Sequence, residues 1–402
     1  LHREYRGKIC IFALIVLTTL FAGCAAKGPA GAPGTILGAT FVGSEACAEC
    51  HDRIYNGWRE TLHAKMTQDV KENPLAILGD FETPSEVRTF SKDDVLITIG
   101  NQWKQRYMTK IGDDYYVLPA QYNLEDGKWA AYHADDWQEL PWFKNCGGCH
   151  ATGVDPVQKT VAEWSIGCEA CHGPGSNHVE AAENAGDVFG TVVNPATLTT
   201  DAATQICGSC HTRGKDKTGE YGWPVDYRAT PSANIRLFYN PVTPEKDTPS
   251  AFWPSGESKK HHQQFLDWQE SEHARVGVTC FTCHTVHSTG SRFQTKLPGD
   301  QLCKSCHTTV EPKGVHRIHT YGSCIGCHMP RTVKSAYAGD ERSHTFRFLD
   351  PALSLAAGGV DNQPNSCSGC HHHEDTPLQD LMGALAAVKL EDTPKLEAGD
   401  LG

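Results

Sequence analysis

Gly167-Cys168-Glu169-Ala170-Cys171-His172-Gly173-Pro174-Gly175 carries the reading of this chain. Two thiols three positions apart, followed at once by an imidazole, recur at seven further places. These are Cys47-Cys50-His51, Cys146-Cys149-His150, Cys207-Cys210-His211, Cys280-Cys283-His284, Cys303-Cys306-His307, Cys324-Cys327-His328 and Cys367-Cys370-His371. Numbered in chain order, the quoted stretch is the third of eight motifs. They hold sixteen of the eighteen cysteines; Cys10 and Cys24 stand apart near the N-terminus. Two thiols at this spacing can add to the two vinyl groups of one haem, and the adjacent imidazole then lies beneath the iron. Zinc ribbons do not need a histidine after every pair. A disulfide framework has no reason to fix the residue after the second cysteine. The pattern predicts eight covalent haem c groups with His51, His150, His172, His211, His284, His307, His328 and His371 as proximal ligands.

The opposite face of each iron needs a ligand or a vacancy. Four methionines are too few and too scattered to supply it: Met66, Met108, Met329 and Met382. Twelve histidines remain outside the motifs and beyond His2. Bis-histidine ligation is therefore expected, with His63, His133, His178, His262 (or its neighbour His261), His273, His287, His319 (with His316 nearby) and His344 as distal candidates. Residues 58–65 and 268–275 share the pattern W-x-E-x-x-H-A-[K/R]. A device used twice suggests one shared job, most simply a helix-borne distal histidine. His372 and His373, beside the last motif, are expected to be exposed polar residues.

Residues 1–8 carry Arg3, Arg6 and Lys8, and an apolar run follows from Ile9 to Ala22. That run has the length of a signal-peptide core and is short for a membrane span. It ends Leu20-Phe21-Ala22-Gly23-Cys24, which resembles a bacterial lipobox with Phe21 where Leu is usual. The expectation is a lipoprotein signal peptide at 1–23, with lipidation at Cys24. A Gly/Ala/Pro tether over 24–40 would hold a soluble body off a bilayer, the outer membrane being the favoured one.

The intervals between motifs are 94, 17, 34, 68, 18, 16 and 38 residues. The short ones leave room for little beyond one helix and a turn, so neighbouring haems must crowd together. In the first long interval, β-rich runs at 95–99, 105–109 and 115–118 alternate with turn signals, predicting a small antiparallel insert at about 90–125. The second long interval has six prolines over 223–256, which predicts an irregular loop. Residues 378–390 have helical periodicity. The expected fold is mainly α with much irregular coil, a multihaem cytochrome c body over 41–375 and a C-terminal helix and tail at 376–402.

Composition agrees with a body filled by something other than aliphatic side chains. Only 39% of the 402 residues are hydrophobic, cysteine included. No polytopic membrane protein fits that composition, and nine Trp, twelve Tyr and fourteen Phe are too many for a disordered chain. The net charge is −12; residues 1–23 carry three basic and one acidic side chain, leaving −14 for the remainder. Two propionates per ferric haem would take the loaded protein to about −22. Nucleic acid and anionic membrane surfaces are poor partners for such a field. Other redox proteins, multihaem cytochromes among them, suit it, as do an outer-membrane porin or an extracellular acceptor. No nucleotide-binding loop or nucleophile elbow is present.

With the motifs placed, Gly43-Ser44-Glu45-Ala46-Cys47, the quoted 167–175 stretch, Cys324-Ile325-Gly326-Cys327-His328-Met329-Pro330 and Ser343-His344-Thr345-Phe346 resemble bacterial multihaem cytochromes of the cytochrome c554 and hydroxylamine-oxidoreductase-like superfamily. The resemblance spans most of 41–375 and implies an exported electron carrier in respiratory or extracellular electron transfer. The superfamily also contains enzymes, usually with a Cys-x-x-Cys-Lys motif or a haem lacking a distal ligand. Every proximal position here is His. An oxidoreductase acting on a small nitrogen or sulfur compound at one open haem is the first alternative. A structural subunit of an outer-membrane conduit or cytochrome filament is the second.

Overall fold

The computed structural model describes residues 38–229, 234–288, 290–291, 293–310, 314–319 and 323–391. The expected signal peptide, Cys24 and most of the tether lie outside the described residues. Among the described residues no helix is long and apolar enough to cross a membrane.

Helices are short and mostly mark the motifs: Ser44–Trp58 around the first, Cys168–His172, Thr200–Gly208, Cys280–Cys283, Asp300–Lys304 and Cys324–His328. Turns join them. The main exception is Leu378–Glu391, the C-terminal helix whose periodicity is visible in the sequence.

The antiparallel sheet is larger than the sequence suggests. It starts with β1 (Thr67–Asp69) and continues through β2 (Ile97–Ile99), β3 (Lys104–Ile111), β4 (Asp114–Val117), β5 (Ala120–Asn123) and β6 (Lys128–Ala131). The order is β1-β2-β3-β5-β6, with β4 also paired to β3. β1 pairs Thr67 with Ile99 and closes an edge from outside the predicted insert. Three residues without alternation carry too little pattern to be read as a strand.

Alternation along β3 sorts the two faces. Tyr107 joins Phe90, Val95, Leu118 and Ala120 in one apolar cluster. Met108 joins Ile97, Ile99, Val117, Trp142 and Phe143 in another. Lys104 and Arg106 have the parity of Met108 and so point toward the second motif, which follows directly on Trp142 and Phe143.

The proline-rich interval is more ordered than a loop. Tyr239–Pro241 (β8) pairs with Gly214–Asp216 (β7), and Tyr227, Ile235, Tyr239 and Phe265 form a further cluster. Trp223 is wholly buried, donates from Nε1 to Phe143 O at 3.0 Å, and lays its ring where a Cβ on Gly148 would stand. Glycine at that position of the second motif therefore permits the close approach.

Two buried carboxylates tie distant segments together. Glu169, between the cysteines of the third motif, accepts backbone N–H bonds from Gly43 at 2.8 Å and Gly175 at 2.7 Å, and from Val42. Glu257 accepts from the Thr345 hydroxyl at 2.8 Å and pairs with Arg347 at 2.8 Å, with Ser343 as a third partner. It thereby pins the loop carrying His344.

Candidate functional site

The motifs share a local geometry. In the fourth, fifth and sixth, the histidine N–H bonds to the carbonyl of the first cysteine, as at His211–Cys207 (2.9 Å), His284–Cys280 (2.8 Å) and His307–Cys303 (2.9 Å). One helical turn thus puts both thiols on one side and the imidazole just beyond them. All sixteen motif cysteines are unbridged. The last motif differs: turns replace the helix, and the bond runs from His373 N to Cys370 O at 2.9 Å.

Imidazole–metal bonds are about 2.0 Å, so two imidazoles across one iron have ring centres about 6.3 Å apart. Six motif histidines meet a second ring at that separation. His51 faces His178 at 6.4 Å, His172 faces His287 at 6.3 Å, and His211 faces His63 at 6.3 Å. His284 faces His344 at 6.5 Å, His307 faces His273 at 5.9 Å, and His328 faces His316 at 6.3 Å. Burial drives the His63 and His344 pKa values down to about 4, which keeps these rings neutral as iron ligands must be. Several are also oriented through Nδ1: His172 to Val193 O (2.7 Å), His284 to Phe293 O (3.1 Å) and His178 to the Thr191 hydroxyl (2.9 Å). That leaves Nε2 to face the iron. Paired thiols with oriented, neutral imidazoles fit haem c.

The repeated device at 58–65 and 268–275 has one structure in both places. Trp58 Nε1 donates to Ile166 O at 3.0 Å, and Trp268 Nε1 to Val278 O at 2.9 Å. The Thr61 and Ser271 hydroxyls each accept the N–H of the alanine three residues on, at 3.2 Å. His273 lies on the short helix Glu272–Arg275, but His63 sits in turns beyond the end of Ser44–Trp58, so the expected helix holds for one of the two. Both histidines cross their partner ring nearly at right angles, at 89° and 86°. The other four pairs lie between 15° and 29°.

Other candidates sit elsewhere. His133 is on the surface, 2.9 Å from Asp136, and faces no motif histidine. A local hydrogen bond holds it there, and the sequence gives no sign of that. His316, not His319, faces His328. His319 instead stacks on His373, with Nε2 atoms 3.4 Å apart, so His373 is drawn into a contact, not left as a plain surface residue. The rings of His371 and His372 meet at 3.9 Å, tilted by 42°. His262 packs against His261 at 4.7 Å, both half-buried, with φ of +50° at His262.

Cysteine neighbours give the order in which the motifs lie. Cys47 lies close enough to Cys168, Cys207 to Cys280 and Cys303 to Cys324 for each to shift the other's ionisation. Cys207 also feels Cys171, Cys283 feels Cys303, and Cys327 feels Cys370. The motifs thus run first, third, fourth, fifth, sixth, seventh, eighth. The second joins at the fourth: Cys149 Sγ is 3.8 Å from Ser209 O, and Cys210 Sγ is 4.0 Å from Gly148 O.

The second motif is also the most cationic. Burial, then Arg106 and further on Lys104, lower the His150 pKa to about 4. Burial, reinforced by Arg106, pushes Lys104 down to about 7. Arg106 stacks over the Tyr132 ring at 3.7 Å and donates to Gln121 at 3.2 Å, while Arg213 donates to His261 O. Among the described residues no carboxylate lies within ion-pair distance of these three cations, and His150 lies near enough to His262 to lower its affinity for a proton.

The family profile for cytochrome c554 and c-prime matches residues 46–84 and 104–173, and that for the doubled CXXCH motif matches 273–312. Over these stretches the chain is similar to multihaem c-type cytochromes. It is 21% identical over 476 residues to the dissimilatory sulfite reductase MccA of Wolinella succinogenes, covering 89% of the chain and 62% of that protein. It is 23% identical to cytochrome c-554 of Nitrosomonas europaea, over 53% of the chain and 70% of that protein. Its fold is similar to the crystal structure of the outer cell wall cytochrome OcwA, with a TM-score of 0.68, 25% identity and 86% of each chain covered.

Proposed function

We propose that the chain is an exported octahaem cytochrome that relays electrons through bis-histidine sites. Haem, when bound at each motif, supplies one-electron chemistry, and the residues described here set its ligands and spacing. The observation that carries the reading is the set of six imidazole pairs separated by 5.9–6.5 Å. An iron held by two such rings has no position left for a substrate. Seven motifs in line, from Cys47 to Cys370, provide a through-path with crowded neighbours. Acceptors and donors are other redox proteins with basic docking patches, or an extracellular acceptor. Lipid anchoring at Cys24 and an outer-membrane location belong to the same proposal. Cys24→Ala should release the protein from the membrane fraction, and a variant that remains bound refutes the anchor. The relay is tested by the oxidised holoprotein's EPR spectrum with added nitrite, sulfite or hydroxylamine. A carrier keeps its low-spin signals unchanged.

One observation favours a second reading, reduction of a small oxyanion at the second motif. Lys104, Arg106 and Arg213 gather beside His150; no carboxylate is within ion-pair distance of them among the described residues, and Glu341 and Asp340 act on Lys104 only from farther off. The related sulfite reductase suggests the class of anion. The propionates of the haem held there are the competing partners for these cations. A stoichiometric high-spin signal that responds to sulfite or nitrite supports this reading. A spectrum insensitive to both leaves the cations to the propionates.

A further inference from the structure

Most of the oriented axial imidazoles bond through Nδ1 to groups that hold no exchangeable charge: Val193 O, Phe293 O, Arg342 O and the Thr191 hydroxyl. His211 is different. Its Nδ1 meets Gln264 Oε1 at 3.2 Å, and Gln264 Nε2 donates to Glu341 Oε2 at 3.2 Å. A carboxyl group thus lies two hydrogen bonds from an iron ligand. Among the described axial imidazoles this is the one so connected. Glu341 itself is buried, only 8% exposed. The imidazole it reaches, His211, belongs to the fourth motif, where the second joins the line.

We propose that Glu341 is a positioning residue that couples proton uptake to the arrival of an electron at the fourth motif, acting on His211 through the Gln264 amide. The inference rests on the relay reading, with His211 and His63 as the axial pair. The balance is simple: one electron from a neighbouring haem converts ferric to ferrous iron, and one proton from solvent converts the Glu341 carboxylate to the acid. No bond to the iron is made or broken. The added electron raises the carboxyl's proton affinity, because both charges are negative and little water intervenes.

The surroundings suit a group that exchanges its proton near neutrality. Burial, then Asp340 on the same loop, raise Glu341 to about 7, while Lys104 from β3 and the Ser335 hydroxyl act the other way. Arg106 and Arg213 stand behind Lys104 and hold down its own affinity for a proton. On the remaining side Gln264 is neutral. Arg342 turns away, donating to Ile325 O and Met329 O. The sign follows: below its pKa the acid form favours the reduced iron, and as pH rises through about 7 the carboxylate forms and favours the oxidised one.

The test is redox titration of the haem-loaded full chain, followed by the EPR signal of the crossed His63/His211 pair. A His273→Ala background removes the other crossed pair. Between about pH 5.5 and about pH 8.5 the reduction equilibrium should fall by up to tenfold per pH unit, about 59 mV for one electron. Glu341→Gln should abolish that slope and hold the potential at its acid-side value. Gln264→Leu, which keeps the carboxyl but cuts the bridge, should remove most of the slope. A slope unchanged in either variant, or absent from the parent, overturns the proposal. Loss of the crossed signal in the His273→Ala parent would instead count against the His63/His211 pair, and so against the relay reading.

Discussion

The rings of His63 and His211 face each other at 6.3 Å with their planes crossed at 89°. His273 and His307 repeat the arrangement at 5.9 Å and 86°. The two distal histidines lie in the same eight-residue device, and in both a hydroxyl three residues before the alanine fixes the backbone. Each imidazole donates π density to the iron orbital perpendicular to its own plane. Crossed planes donate to both orbitals and keep them nearly degenerate; parallel planes split them. Crossed pairs therefore give low-spin EPR signals of large anisotropy. His63→Ala and His273→Ala should each remove one such signal and create one high-spin iron, leaving the four parallel pairs intact. A spectrum with neither signal to lose contradicts the assignment.

His316 and His319 separate two accounts of the seventh motif. The structure pairs His316 with His328 and puts His319 against His373. His316→Ala should let reduced protein bind one additional carbon monoxide at the seventh haem, with the low-spin signal of that haem lost. His319→Ala should leave the seventh haem saturated. The reverse outcome would restore His319 as its ligand.

Spacing alone makes the motifs legible, because haem attachment needs a fixed local geometry that one helical turn provides. The histidines that face motif imidazoles are legible only where a local device advertises them, as at His63 and His273. His316 and His319 are three residues apart and chemically alike, so their choice depends on how the chain folds back on Cys324–His328. The place of the second motif beside the fourth is likewise a tertiary fact, made by Cys149 meeting Ser209. The sheet extends beyond what the sequence shows because β1 is three residues long and pairs with the distant β2, Thr67 against Ile99. His133 lies on the surface beside Asp136, and exposed and ligating histidines look alike in sequence.

Trp223 and Gly148 form the wall behind the second motif. Trp223→Ala should destabilise the holoprotein by about 3–5 kcal/mol, since a wholly buried indole and its bond to Phe143 are both lost. Gly148→Ala should drive a methyl into the Trp223 ring and impair haem attachment at Cys149. Denaturant titration and haem-to-protein stoichiometry measure these effects. A Trp223→Ala midpoint equal to that of the parent would show the wall to be dispensable.

Glu257 holds Ser343, Thr345 and Arg347 around His344, which faces His284. Removing the carboxylate strands these donors in a buried site, where an unmet polar group is costly. Glu257→Ala should loosen His344, so the reduced fifth haem becomes open to carbon monoxide while others stay closed. Unchanged carbon monoxide uptake would mean the loop is held by other contacts.

The central claim is that paired imidazoles saturate the irons of a relay. Spin-quantified EPR of the oxidised, haem-loaded protein tests it most directly. The account predicts at least six low-spin irons per chain, two of them of the large-anisotropy type, with any high-spin iron confined to the second and last motifs. A spectrum dominated by high-spin iron would contradict it.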